Sequence, residues 1–123
     1  LYIEYGSNLE LVNSIIWGNS PAFMQFNSSG PIATIAVSYS NIEGGSAGVI
    51  TNNNGTLNWG SGNIDADPLF ADTANANYHL LWNSPCIDAG DPDLDSDGIN
   101  WENDYDDVDP DGTRFLPKNS RAR

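Results

Sequence analysis

Ser61-Gly-Asn-Ile-Asp-Ala-Asp67 returns 23 residues later, in a weaker form, as Ser84-Pro-Cys-Ile-Asp-Ala-Gly90. Two further copies of the central five residues stand upstream, at positions 14–18 and 40–44. A fixed period of this length is the sequence signature of a repeat architecture. Aligned on their isoleucine, the copies have spacings of 26, 22 and 23 residues, and the column reads Ile16, Ile42, Ile64 and Ile87.

This period predicts a parallel β-coil, in which short strands joined by turns make one circuit of 22–26 residues. Successive circuits stack about 4.8 Å apart, so equivalent side chains form ladders along the axis. The isoleucine column has the constant apolar size that an inward ladder needs. The next column alternates to the outside, where charge is tolerated, and it reads Trp17, Glu43, Asp65 and Asp88.

We therefore predict an all-β protein, a right-handed parallel β-helix (solenoid) of about four to five coils with an irregular acidic C-terminal loop. Strands are expected near residues 9–12, 32–39, 48–51, 56–59 and 78–81, and no window has a helical period. An ordinary antiparallel sandwich, with a chance likeness among its turns, is the alternative.

Several phrases resemble the C-terminal coils of bacterial right-handed parallel β-helix proteins of the pectate-lyase-like superfamily. They lie at 11–19, 38–45, 62–70, 78–80 and 84–91, and the last two are the most specific. The resemblance implies a secreted or surface-attached protein whose solenoid these coils close, and it transfers no catalytic residue. After Asp109-Pro-Asp-Gly-Thr-Arg114 the chain departs from the closing strand that is usual in this family.

Charge is distributed unevenly along the chain, which has a formal net charge of −13. All four basic residues follow position 113, whereas eleven of the 17 acids lie between Asp88 and Asp111. Nucleic acid binding needs a basic face, so we expect no nucleic acid partner. No stretch is long and apolar enough to span a bilayer, so we expect no membrane insertion. The single cysteine, Cys86, allows no intrachain disulfide, and we expect it to be a small buried thiol.

The acidic segment contains a calcium-type loop, Asp93-Leu-Asp-Ser-Asp-Gly98, with a further acid at its twelfth position. Calcium takes six to eight oxygen ligands, which acids at positions 1, 3, 5 and 12 and a carbonyl at position 7 supply. A second half-motif, Asp107-Val-Asp-Pro-Asp-Gly112, has Lys118 at its twelfth position. A solvated acidic loop without metal is the alternative. The predicted ligands are the carboxylates of Asp93, Asp95, Asp97 and Asp104 and the carbonyl of Ile99.

Catalysis has weaker support, so we lean against an enzyme. Uronate lyases commonly need a lysine or an arginine as the base, and there is none before Arg114. Glycoside hydrolysis needs two carboxylates about 5–9.5 Å apart, which Asp65 and Asp88 would supply if they do not instead bind turn backbones. The tryptophans at positions 17, 59, 82 and 101 either stack on sugars or cover the edge of the core.

Three regions are predicted: β-helix coils over 1–91, an acidic calcium-type loop over 92–114, and a basic tail over 115–123 that is disordered or the remnant of a cap. The chain opens in strand-like sequence, as expected of a fragment or a mature domain. The leading hypothesis is a non-catalytic structural or binding module, adhesive or carbohydrate-associated, of a secreted or surface bacterial protein, stabilised by calcium and with polysaccharide as its partner. The alternatives are a fragment of a polysaccharide-active β-helix enzyme whose catalytic coils are missing, and a free-standing small protein that self-associates into a homo-oligomer through open coil ends.

Overall fold

Short β-strands dominate the computed structural model, which describes residues 1–19, 24–93 and 98. The described part has nine strands and two single-turn 3-10 helices, Gly45–Gly48 and Thr73–Asn75. In this part of the chain, the structure confirms the all-β character predicted from the sequence. No helix in these residues is both long and apolar enough to cross a membrane. The strands are β1 (Tyr2–Ile3), β2 (Asn8–Val12), β3 (Ile15–Ile16), β4 (Gln25–Phe26), β5 (Ala33–Ser38), β6 (Asn41–Ile42), β7 (Gly55–Trp59), β8 (Phe70–Asp72) and β9 (Asn77–Leu80).

Strands β1 to β7 pair in parallel, and the pairing repeats along the chain. The central sheet has the order β2-β5-β7, while β1 pairs with β4 and β3 pairs with β6. Isolated parallel bridges add Ile50 to the β1-β4 pair and Ile64 to the β3-β6 pair. We call the three consecutive groups tiers: β1–β3 form tier 1, β4–β6 tier 2, and Ile50, β7 and Ile64 tier 3. Paired residues are 22–26 positions apart, which is the period seen in the sequence.

The parallel pairs form three groups, which we call the parallel stacks: β1-β4 with Ile50, β2-β5-β7, and β3-β6 with Ile64. Alternation along the strands places the core between these stacks. In β5 the residues Ala33, Ile35 and Val37 are buried, whereas the residues between them are half-buried. This is the period-2 burial of a strand with one face on a core. The buried hydrophobic residues are Ile3, Met24, Phe26, Ala33, Ile35, Val37, Ile42 and Val49.

A polar turn after the central sheet joins the tiers to one another. Its left-handed residue is Asn13 in tier 1 and Tyr39 in tier 2, and Gly62 takes the same place in tier 3. The next residue makes the contact between tiers: the backbone N–H of Ser14 donates to Ser40 Oγ at 3.2 Å. Ser40, which is 2% exposed, donates its own N–H to Asn63 Oδ1 at 3.0 Å. Buried backbone groups at this corner are thereby satisfied.

The predicted isoleucine column is correct for only two of its four members. Ile16 pairs with Ile42 as expected. Ile64 pairs with Asn41 instead, one residue out of the predicted register. The reason lies in the turn, because Gly62 is equivalent to Tyr39 rather than to Ser40. Ile87 is 44% exposed, so it does not belong to an inward ladder.

The chain leaves the parallel arrangement after Ile64. Strands β8 and β9 form an antiparallel hairpin around the 3-10 turn Thr73–Asn75. The strand predicted at 78–81 is therefore close to its expected position but has a different partner, and three tiers are present in the described residues. The strands predicted at 9–12, 32–39 and 56–59 correspond to β2, β5 and β7. The prediction at 48–51 is reduced to the bridge at Ile50.

The chain divides into two units, Leu1–Gly90 and Asp91–Arg123. The tiers and the hairpin belong to the first unit. In the second unit the structure describes residues 91–93 and 98. Most of the predicted acidic loop at 92–114 and the whole basic tail at 115–123 lie outside the described residues.

Candidate functional site

An open groove of about 610 Å³ lies between the end of tier 1 and the β8-β9 hairpin. One wall comes from the turn that follows β3. The other wall comes from the hairpin and the segment leading into it. The lining residues are Trp17, Gly18, Asn19, Asp67, Leu69, Phe70, Thr73, Tyr78 and Leu81.

Hydrogen bonds fix the backbone of the tier 1 wall. Gly18 has a left-handed conformation with φ of 70°, which glycine adopts without strain. Its N–H donates to Glu43 Oε2 at 2.8 Å, so an acid on tier 2 holds the turn of tier 1. The side chain of Asn19 donates to the carbonyl of Trp17 at 3.2 Å. These contacts position the half-buried Trp17 at the groove.

The hairpin wall is held by its own turn and by two aromatic rings. Asp72 accepts the backbone N–H of Asn75 at 3.3 Å and its side-chain amide at 2.7 Å, which fixes the 3-10 turn. The rings of Phe70 and Tyr78 meet edge to face, with centroids 5.5 Å apart and planes at 88°. This is a favourable arrangement for an aromatic pair. Tyr78 remains 61% exposed, so much of this side chain is accessible from solvent.

Asp67 contributes a carboxylate to the groove. Its Oδ1 accepts the N–H of Leu69 at 2.9 Å, and Leu69 has a left-handed φ of 53°. Three aromatic rings, two leucines and a few polar groups make a lining typical of small-molecule sites. Residues 1–90 include seven acids and no lysine or arginine. The field of this unit therefore disfavours anionic ligands.

The two acids of the predicted hydrolytic pair, Asp65 and Asp88, are each associated with a turn. Asp65 Oδ1 accepts the N–H of Gly44 at 3.0 Å, repeating one tier higher the contact of Glu43 with Gly18. Asp88 is exposed in a turn with φ of 56°. Because Ile87 does not stack on Ile64, the ladder that would place Asp88 beside Asp65 does not form. Asp65 is a backbone acceptor, which was the alternative interpretation of these acids.

Cys86 is half-buried and hydrogen-bonded rather than a fully buried apolar thiol. The side-chain amide of Asn41 donates to Cys86 Sγ at 3.0 Å. Together with Ile15 and Ile64, Cys86 lines a second cavity, of about 250 Å³, outside the β3-β6 stack. His79 is exposed on β9, as its position beside Tyr78 predicts.

Of the predicted calcium ligands, Asp93 lies within the described residues. Its Oδ2 accepts the N–H of Gly98 at 3.0 Å, and its own N–H donates to Asp91 Oδ1 at 3.0 Å. Among the residues that the structure describes, no three His, Cys, Asp or Glu side chains are grouped so that they could hold a metal ion. The remaining predicted ligands, Asp95, Asp97, Ile99 and Asp104, lie outside the described residues.

One of the three aromatic residues of the groove was predictable from the sequence. The tryptophans were expected either to stack on sugars or to cover the edge of the core, and Trp17 does line the groove. Trp59 packs against the core instead, and Trp82 is 89% exposed. Phe70 and Tyr78 were missed. The available signal was the stretch 72–77, in which aspartate, threonine and two asparagines alternate with alanine, a composition typical of a turn between two strands.

Comparisons of the chain with protein-family models, with curated proteins and with solved structures found no match. Function is therefore inferred from the groove and from the acidic segment.

Proposed function

We propose that this protein is a non-catalytic carbohydrate-binding module of a secreted or surface bacterial protein, built as a short right-handed parallel β-helix and stabilised by calcium. The groove between Trp17 and the hairpin carries the binding proposal. It combines the exposed ring of Tyr78 with the half-buried ring of Trp17 and with polar groups.

The β-helix proposal is supported by the pairing of the tiers. Each tier contributes a strand or a bridging residue to the same three parallel stacks, in the same order along the chain. Connections between parallel strands of one sheet are right-handed in about 98% of cases, which favours a right-handed path. The antiparallel hairpin then ends the stacking and brings its aromatic rings to the side of tier 1.

A neutral glycan is the ligand that the groove supports best. The faces of sugar rings are apolar and pack on aromatic side chains. The carboxylate of Asp67 and the hydroxyl of Thr73 supply partners for sugar hydroxyls. With no lysine or arginine in residues 1–90, a uronate or a sulfated sugar finds no opposite charge there.

Replacing Trp17 or Tyr78 with alanine should weaken binding of a neutral oligosaccharide about tenfold, because a central aromatic contact is worth on the order of 1.4 kcal/mol or more. Isothermal titration with neutral gluco-, manno-, xylo- and galacto-oligosaccharides would measure this change. Trp82→Ala is the matched control, since Trp82 lies outside the groove lining, and its affinity should equal that of the unmodified chain.

Two results would count against the binding proposal. One is that no neutral oligosaccharide binds at millimolar concentration. The other is that Trp17→Ala binds as tightly as the unmodified chain. Oligogalacturonate serves as the anionic comparison, and we expect it to bind more weakly than the neutral sugars.

Hydrolysis by this chain has less support than binding. Asp67 is the one carboxylate among the described lining residues of the groove, whereas glycoside hydrolysis generally uses two. Glu43 and Asp65 accept turn N–H groups. The alternative, a fragment of a larger polysaccharide-active enzyme, would require catalytic groups from elsewhere.

The calcium proposal is supported by the donor set and by the first turn of the loop. The predicted ligands are carboxylate and carbonyl oxygens, which calcium prefers. The contact between Gly98 N–H and Asp93 brings the first and sixth loop positions together. Gly98 has a φ of 90°, a conformation that side-chain-bearing residues rarely adopt. Calcium bound there would neutralise carboxylates that otherwise repel one another.

Calcium should raise the thermal midpoint of unfolding, and a chelator should lower it again. A loop of this class binds at roughly 10⁻⁴–10⁻³ M, and a hundredfold excess over the dissociation constant adds about 2.7 kcal/mol of stability. Asp95→Ala should remove most of the difference, whereas Glu10→Gln, far from the loop in sequence, should retain it. Identical melting curves with calcium and with chelator would contradict the proposal.

A further inference from the structure

The turn between Ile50 and β7 contains an asparagine followed directly by a glycine, Asn54-Gly55. This dipeptide is chemically labile, because glycine has no side chain to shield its backbone nitrogen. That nitrogen can attack Cγ, the side-chain carbonyl carbon, of the preceding asparagine. No other asparagine in the sequence precedes a glycine. The turn therefore contains the amide of the chain that is most susceptible to this reaction.

Packing against the core explains why a glycine stands at position 55. A β-carbon added there would overlap the ring of Phe26, which is 0% exposed. The ring is fixed among other buried side chains, so a larger residue would strain the core. Gly55 also begins β7, where it pairs with Ala33 of β5. The fold thus requires the residue that makes Asn54 labile.

A buried hydrogen bond explains why an asparagine stands at position 54. The backbone N–H of Asn54 donates to the carbonyl of Thr51 at 3.0 Å, which closes the turn. The side-chain amide of Asn54 donates to Asn27 Oδ1 at 3.1 Å and so connects the turn to the residue that follows β4. Asn27 is 4% exposed, and its own amide donates to the carbonyl of Ser29. While the contact with Asn27 is made, the side chain of Asn54 does not rotate toward Gly55.

We propose that Asn54 is a site of spontaneous deamidation, which its contact with Asn27 slows in the folded chain, and that the product destabilises tier 3. The backbone nitrogen of Gly55 forms a bond to Cγ of Asn54, and the bond between Cγ and Nδ2 breaks. The backbone proton leaves with the amide nitrogen as ammonia, and a cyclic succinimide remains. Water then opens the ring at either carbonyl and leaves aspartate or isoaspartate at position 54.

Neither product reproduces the contact with Asn27. A carboxylate has no N–H to donate, so it faces Asn27 Oδ1 as one acceptor against another. Rotating the amide of Asn27 would turn its oxygen toward the carbonyl of Ser29 instead. One pair of acceptors is therefore opposed in either orientation, beside a side chain that is 4% exposed. The isoaspartate form also adds a carbon atom to the main chain immediately before β7.

Peptide mapping by mass spectrometry tests the protection by Asn27. The whole chain is incubated at mildly alkaline pH with and without denaturant, and conversion at Asn54 is followed with time. The exposed Asn83 serves as the internal reference. Relative to this reference, conversion at Asn54 should be at least about fivefold slower in the folded chain, the ratio that corresponds to the net contribution of one hydrogen bond.

Asn27→Ala should remove most of this protection in the absence of denaturant. Asn41→Ala is the matched control, because it removes the contact with Ala66 and leaves the turn before β7 unchanged, so it should keep the slow rate. Asn54→Gln should convert far more slowly than the unmodified chain, since the longer side chain does not close a succinimide ring. Circular dichroism would check that the variants are folded.

Asn54→Asp reproduces one product and tests its effect on tier 3. The thermal midpoint of unfolding should fall by about 4–8 °C, the shift that the loss of one hydrogen bond gives in a domain of this size. Asn53→Asp is the matched control, because Asn53 is exposed and has a φ of 54°, which aspartate tolerates as asparagine does. Its midpoint should fall by less than about 2 °C.

Equal conversion of Asn54 with and without denaturant, measured against Asn83, would overturn the protection by Asn27. If Asn27→Ala does not remain folded, this comparison decides the question alone. An Asn54→Asp chain that melts at the same temperature as Asn53→Asp would overturn the effect on tier 3. Neither measurement requires sugar or calcium, so its outcome is independent of the binding and calcium proposals.

Discussion

Replacing Ile42 with alanine is expected to lower the free energy of unfolding by about 2–5 kcal/mol, because a fully buried isoleucine loses its contacts and leaves a cavity. Ile42 is 0% exposed in β6, at the middle of the tier stack. Ile87→Ala is the matched control, since the same substitution at a 44% exposed turn position should cost less than about 1 kcal/mol. Chemical denaturation of both variants would measure the difference.

Equal losses of stability at the two positions would contradict the burial assigned here. It would mean that Ile87 is packed as tightly as Ile42, as a regular four-member isoleucine column requires. A large loss for Ile87→Ala alone would place the core around the C-terminal turn rather than between the parallel stacks.

Asn41→Ala is expected to cost about 1–3 kcal/mol, because it leaves the half-buried backbone N–H and carbonyl of Ala66 without their partner. Asn41 is 2% exposed, and its side chain donates to the carbonyl of Ala66 at 2.7 Å and accepts the N–H of Ala66 at 3.2 Å. This double contact fastens the tier stack to the segment that leads into Asp67 and Phe70. Weaker oligosaccharide binding should therefore accompany the loss of stability.

Asn83→Ala is the control for Asn41→Ala, since Asn83 is exposed and should change stability by less than about 0.5 kcal/mol. Denaturation and sugar titration of the two variants should be measured side by side. If Asn41→Ala is as stable as Asn83→Ala and binds sugar normally, the contact with Ala66 does not support the groove.

Strand positions and the repeat period were predictable because they depend on local chemistry. Alternating apolar residues, with glycine or asparagine at the turns, mark β2, β5, β7 and β9 within a residue or two. The repeated phrase likewise gave a spacing that the parallel pairs reproduce. These signals need only neighbouring residues, so they can be read from the sequence without knowing which segments meet.

The exact register was harder to predict, because it is set at a turn whose residues do not resemble one another. Asn13, Tyr39 and Gly62 share a left-handed conformation. Tyrosine rarely adopts this conformation, so an alignment by residue type matched Gly62 to Ser40 instead. Aligning the isoleucines then matched Ile64 with Ile42 instead of with its observed partner, Asn41. Such a one-residue slip reverses the face of the strand on which each side chain lies.

The groove depends on contacts that the sequence does not mark. Trp17 and Tyr78 are about sixty positions apart, and they line one groove only because the hairpin folds back beside tier 1. An aromatic residue in an isolated segment predicts core packing as readily as sugar stacking. The calcium loop was predicted from local spacing alone, and it stays a prediction.

Nuclear magnetic resonance of the isotopically labelled chain tests the carbohydrate-binding groove most directly. The indole N–H signals of Trp17 and Trp82 would be followed during titration with the tightest-binding neutral oligosaccharide. We predict that the Trp17 signal shifts until the sugar saturates and that the Trp82 signal stays in place, since only the first residue lines the groove. A saturable shift at Trp82 with none at Trp17, or no shift at either under conditions where titration shows binding, would contradict the assignment.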